Sequence, residues 1–152
     1  MVYLTRRYRF SAAHRLHTDA LGPEENARVY GKCNNPLGHG HNYVLDVTVA
    51  GPVDRATGMV YDLANLDAVV QSEVLDRFDE VHLNLDTENF RNHVPTAENV
   101  GIEIFNILRS KLKVTGRWAS AHLERIRLEE TNSNFFEYAG ENGRDLKEQR
   151  VR

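Results

Sequence analysis

Apolar and polar residues alternate along residues 2 to 14, where Val2, Leu4, Tyr8, Phe10 and Ala12 fall on one parity, the signature of a half-buried strand. A second strand is read over residues 39 to 50, with Tyr43, Leu45 and Val47 on the inward parity. The polar stretch from His17 to Asn26 reads as a loop closing in a short helical turn before Tyr30. The pattern then changes period. After the turn residues Gly51, Pro52, Thr57 and Gly58, Asp62 is placed to cap a helix with Leu63, Leu66, Val69, Val70, Val74 and Phe78 on one stripe. A second helix follows Pro95, with Thr96 as N-cap, Glu98 in its first turn, and Val100, Ile104, Ile107, Leu108 and Leu112 at helical spacing. Last come a strand with His122, Glu124, Ile126, Leu128 and Glu130 on one parity, a turn at Asn132, Ser133 and Asn134, and a short strand over residues 135 to 138.

The order ββααββ predicts an α+β fold in which two helices cover one face of a four-stranded antiparallel sheet. A single domain is expected over residues 1–139, with a charged, mobile tail at 140–152. At 152 residues, 41% hydrophobic and 27% charged, the chain can build one core. No stretch approaches the ~20 apolar residues of a membrane span, and no secretory signal is read at the N-terminus. The net charge of −3 argues against general nucleic-acid binding. A lone cysteine forms no internal disulfide, which fits a cytoplasmic protein.

The candidate chemistry lies at the strand ends. His39 and His41 are two apart on one strand and share a face, and His14 sits on the inward parity of the first strand. Three neutral imidazoles leave a tetrahedral Zn2+ one open position, as in catalytic sites. Cys33 is close by in sequence. Free cysteines are most often small buried hydrophobes, but the polar neighbours Lys32, Asn34 and Asn35 favour a reactive thiol, and a nearby cation or histidine would make it a thiolate at neutral pH. Glu130 shares the parity of Ile126 and Leu128, where a lone carboxylate is costly, whereas its neighbour Glu129 is read as facing water.

These residues resemble those of the 6-pyruvoyltetrahydropterin synthase family, which includes the 6-carboxytetrahydropterin synthases of the queuosine (deazapurine) pathway. The resemblance is carried by the blocks Phe10 to His14, Gly31 to Tyr43, Thr57 to Val60, Thr96 to Val100, and Glu130 with Thr131. It implies a T-fold (tunnelling fold) assembled as a homohexamer, a dimer of trimers with active sites at subunit boundaries, and the substrate 7,8-dihydroneopterin triphosphate. It also implies zinc on His14, His39 and His41, Cys33 as the base, and Glu130 as the carboxylate gripping the pterin ring. One departure stands out: the family's Asp-His pair after the first helix is Asp79 followed by Glu80 in this chain. His82, two residues on, is the expected substitute for the relay histidine, because only an imidazole titrates near neutral pH without a large shift. Thr96 is a candidate substrate contact as well as a cap, and Lys32, Arg28 and Arg15 are candidates for the triphosphate.

The leading function is a zinc-dependent lyase that eliminates triphosphate and yields 6-pyruvoyltetrahydropterin. The five-residue gap between Cys33 and His39 resembles the pyruvoyl-forming branch. The alternatives are a 6-carboxytetrahydropterin synthase releasing acetaldehyde and, because of Glu80, a pterin- and zinc-binding protein impaired in turnover.

Overall fold

In the computed structural model, which describes residues 1–141, the elements are β1 (Val2–His14), α1 (Pro23–Tyr30), β2 (His39–Gly51), α2 (Leu63–Val70), α3 (Asp76–Phe78), β3 (Val81–His82), α4 (Leu83–Asp86), α5 (Ala97–Lys111), β4 (His122–Thr131) and β5 (Asn134–Tyr138). The rest of the expected charged tail lies outside the described residues. None of the helices described is long and apolar enough to cross a membrane.

The fold is α+β, but the sheet has five strands in the order β3-β1-β2-β4-β5 and is mixed. The expected four antiparallel strands are all present. The fifth, β3, pairs parallel to β1 through Ala12 with Val81 and Ala13 with His82. Two residues are too few to show a two-residue period, so pattern reading cannot find such a strand.

β1 and β2 form a long antiparallel ladder from Val2 opposite Gly51 to His14 opposite His39. On the inner face of the sheet Tyr43, Leu45 and Val47 of β2 and Ile126 and Leu128 of β4 are completely buried, each contributing about 1.5–3 kcal/mol relative to exposure. α5 packs over this face with Val100, Ile104 and Leu108 buried. Its start is fixed by the Thr96 hydroxyl, which accepts from the Asn99 N–H at 3.2 Å.

The first predicted helix is not uniform. Asp62 caps α2 by accepting from the N–H groups of Ala64 and Asn65, but a π turn at Gln71–Leu75 separates α2 from α3. Leu66, Val70, Val74 and Phe78 are all completely buried. Strict four-residue spacing drifts around an ideal helix, and one wider turn returns the later residues to the core face.

Two other local expectations change. Residues 23 to 30 form a proper helix with Pro23 at its start and Glu24 and Glu25 in its first turn, followed by a 3-10 turn at Gly31–Asn34 that carries Cys33. The register of β4 on β2 shifts between Thr48 and Val49, so Leu123 rather than Glu124 lies opposite Val49. That bulge puts Leu123 against the core, and His122 and Glu124 do not continue the inward face of Ile126 and Leu128.

Candidate metal centre and active site

The last pairs of the β1–β2 ladder build the site. His14 stands opposite His39, and His41 is opposite Ala12, whose small side chain leaves room for the imidazoles. One ring nitrogen from each of His14, His39 and His41 comes within 4.8 Å of the others. Nε2 of His14 and Nε2 of His39 are 3.1 Å apart. Beneath them Tyr43 stacks on Phe10, with ring centroids 4.9 Å apart, so the rings rest on a rigid apolar floor.

This cluster fits a zinc ion. His14 is 0% exposed, and its Nδ1–H donates to the Pro95 carbonyl at 2.7 Å, which leaves the Nε2 lone pair directed into the cluster. Burial lowers the His14 pKa to about 4, so the ring is neutral at physiological pH, as a ligand must be. His39 is lowered too, first by burial and then by His41. Nε2 of His41 is buried and has no hydrogen-bond partner in the protein. A buried polar atom so placed is accounted for by a bound cation.

Glu130 closes the fourth side. Its Oε1 lies 3.7 Å from Nε2 of His14 and 3.7 Å from Nε2 of His41, and its side chain is 16% exposed. It also lines a 720 Å³ cavity with Arg9, Ser11, Tyr43, Asp79 and Glu129. Glu129, expected in water, is half-buried with its carboxylate 3.4 Å from Arg127.

Cys33 is half-buried. Its thiol pKa is raised, mainly by burial and then by the Glu130 charge. That reverses the expectation of a thiol lowered by its surroundings, because burial disfavours the thiolate and the Glu130 carboxylate brought in by β4 adds to the effect.

The loop after α3 brings the remaining candidates. Asp79 is exposed and its Oδ1 accepts from the Ser11 N–H at 2.7 Å, while the Glu80 N–H donates to the Ser11 carbonyl at 2.6 Å. Asp79 thus binds backbone. Glu80 is exposed and is the single non-glycine among the described residues with positive φ, at 58°. Glu80 lines both the Glu130 cavity and a second one, and His82 packs against Gly38. Nδ1 of His82 is buried without a partner, its Nε2 would sit 2.7 Å from a Cβ placed on Gly38, and it lines a 460 Å³ cavity with His41 and Glu80. Thr96 uses its hydroxyl on Asn99 and lines neither of these cavities.

Several positioning groups escaped the sequence reading: the Pro95 carbonyl, Gly38, and Asn134, whose Nδ2 donates to Oε2 of Glu130 at 3.2 Å. Only Gly38, in the turn Asn35-Pro36-Leu37-Gly38, carried a local signal.

A five-stranded α+β fold with three converging imidazoles and a facing carboxylate presents the donor set of a metal-binding site. The family profile of 6-pyruvoyl tetrahydropterin synthase matches residues 3–141, and the chain belongs to that family. It is 41% identical over 140 residues to the 6-pyruvoyl tetrahydrobiopterin synthase of Drosophila melanogaster, covering 92% of this chain and 80% of that protein. The solved structure of Caenorhabditis elegans 6-pyruvoyl tetrahydropterin synthase superposes with a TM-score of 0.83 at 45% identity, over 91% of this chain and 95% of that one. The 6-carboxy-5,6,7,8-tetrahydropterin synthase of Rickettsia typhi is more distant, at 29% identity over 153 residues, 90% of this chain and 99% of that protein.

Proposed function

We propose that this chain converts 7,8-dihydroneopterin triphosphate to 6-pyruvoyltetrahydropterin with elimination of triphosphate. The observation that carries the reading is the convergence of His14, His39 and His41 beside Glu130, in a chain more than 40% identical to a relative named for pyruvoyl chemistry. A zinc ion on the three imidazoles supplies Lewis acidity toward the side-chain hydroxyls, which acidifies the neighbouring C–H bonds.

The protein groups do the rest. Cys33 removes a proton from the substrate side chain, and its raised pKa means that it must be activated by a neighbouring base. His82 is that relay: its Nδ1 is buried and unpartnered at the cavity it shares with His41, whereas Glu80, which lines the same cavity, is exposed and carries no imidazole. Asp79 holds the loop on β1. Oxidation of the side chain and reduction of the ring are internal to the substrate, so no redox cofactor enters. The same family resemblance supports assembly of this T-fold subunit as a homohexamer, with sites completed between subunits.

Mass spectrometry of the products formed by zinc-loaded protein, with Cys33→Ala as control, tests the reading. Pyruvoyl product lost in the control is expected. Carboxy product with acetaldehyde, or intact substrate, would overturn it.

A further inference from the structure

Among the described residues, the basic side chains within 4.0 Å of the Glu130 carboxylate are the imidazoles of His14 and His41. Its Oε2 takes one hydrogen bond, from Nδ2 of Asn134 at 3.2 Å. Asn134 is itself oriented by the Thr131 hydroxyl on its Oδ1, which turns the amide N–H toward Glu130. The other oxygen, Oε1, is left facing the histidines, 3.7 Å from Nε2 of His14 and 3.7 Å from Nε2 of His41. A carboxylate with a side chain only 16% exposed needs more than one amide to balance its charge.

The distances indicate what balances it. A four-coordinate zinc with bonds of ~2.0–2.2 Å sets its donors ~3.3–3.6 Å apart. The two separations of Oε1 and the 3.1 Å between Nε2 of His14 and Nε2 of His39 bracket that edge length. Glu130 reaches this place from the end of β4, in phase with buried Leu128, and not from a loop. Carboxylate oxygen is also an ordinary zinc donor beside imidazole nitrogen.

We propose that Glu130 is the fourth metal ligand of the substrate-free protein, occupying through Oε1 the corner that an incoming substrate hydroxyl must take. The inference rests on the reading that the three histidines hold zinc. It makes substrate binding a ligand exchange, with the displaced carboxylate left beside the hydroxyl and able to accept its proton. It also gives Glu130 a duty in the resting protein that differs from gripping the pterin ring.

Cobalt(II) substitution tests this without turnover. Wild type, Glu130→Gln and Glu130→Ala are loaded with cobalt in the absence of substrate, and the visible spectrum, cobalt affinity and azide affinity are measured. We expect both variants to shift the spectrum and to weaken cobalt binding by about tenfold or more, and Glu130→Ala to bind azide about tenfold more tightly than wild type. Unchanged spectra with cobalt and azide affinities within about twofold would overturn the proposal. If the variants fail to fold, the wild type decides alone: its spectrum should resist azide at about millimolar concentration, and a ready shift would overturn the proposal. Failure of wild type to take up cobalt would overturn both this inference and the metal reading beneath it. A Glu130-dependent spectrum in a protein that leaves dihydroneopterin triphosphate intact would support the inference and refute only the proposed reaction.

Discussion

The two walls of the site are held by different means. His14, His39 and His41 are carried by a ladder of thirteen paired positions in which His14 lies opposite His39. His82 is carried by two residues of strand, pinned on either side of that bridge. Asp79 and Glu80 bind Ser11 on one side; on the other, Asn84 accepts from the Arg15 N–H at 2.8 Å and donates to the Arg15 carbonyl at 2.9 Å. The ladder fixes side-chain direction through every residue of two strands, so a single change moves little. The loop depends on a handful of polar contacts, and each is a separate point of failure. The rigid wall is suited to holding a metal, and the pinned wall to a group that takes up and passes on a proton.

Replacing a ligand on the rigid wall should have the largest effect. His14→Ala should reduce bound zinc from one per chain to less than about a tenth, measured by elemental analysis. The same substitution removes a completely buried ring and should lower stability by about 2–4 kcal/mol in chemical denaturation.

Acid should act on the same wall. In metal-stripped protein the His14 pKa is lowered to about 4 from the ordinary 6.5, so between those values the unfolded chain binds more protons than the folded one. The contribution is fully present above pH ~6.5 and is lost as pH falls toward ~4, at a cost of about 3 kcal/mol. Urea denaturation across that range should show the decline, and His14→Gln should flatten it.

Gly38 is where the two walls touch. It has φ of 75°, and a Cβ there would meet Nε2 of His82 at 2.7 Å and the His14 carbonyl at 2.8 Å. Gly38→Ala should therefore cost about 2–3 kcal/mol, measured by thermal unfolding, and displace His82.

The pins of the loop come next. Asp79→Ala should cost about 1 kcal/mol by leaving the Ser11 N–H without its acceptor, and turnover should fall further than stability does. Asp79→Asn, which keeps an acceptor oxygen, should recover most of that turnover. The smallest effect is expected at Glu80, whose left-handed backbone suits glycine. Glu80→Gly should stabilise by about 0.5–1 kcal/mol, and Glu80→Gln should leave turnover unchanged while His82→Ala abolishes it. Full activity in His82→Ala with loss in Glu80→Gln would reverse the assignment of the relay.

The same contrast explains what could be read in advance. A two-residue period persists through β1 and β2, so the shared face of His14, His39 and His41 was visible in the spacing alone. The parity of Glu130 with Ile126 and Leu128 was visible for the same reason, although the bulge opposite Thr48 and Val49 broke that parity at Glu124. β3 was invisible because its direction comes from Asp79 and Asn84 reaching β1, 68 and 69 positions away in sequence. The raised Cys33 thiol was misread because the adjacent Lys32, Asn34 and Asn35 are outweighed by burial and by Glu130, which is remote in the chain and near in space.

The β1–β2 ladder brings His14, His39 and His41 together, and anomalous diffraction at the zinc edge from crystals of zinc-loaded, substrate-free protein tests most directly whether they hold one metal ion. One anomalous peak per chain, within bonding distance of ring nitrogens from His14, His39 and His41, is the predicted result. An absence of peaks, or a peak bound elsewhere with these three imidazoles hydrogen-bonded to one another, would contradict it.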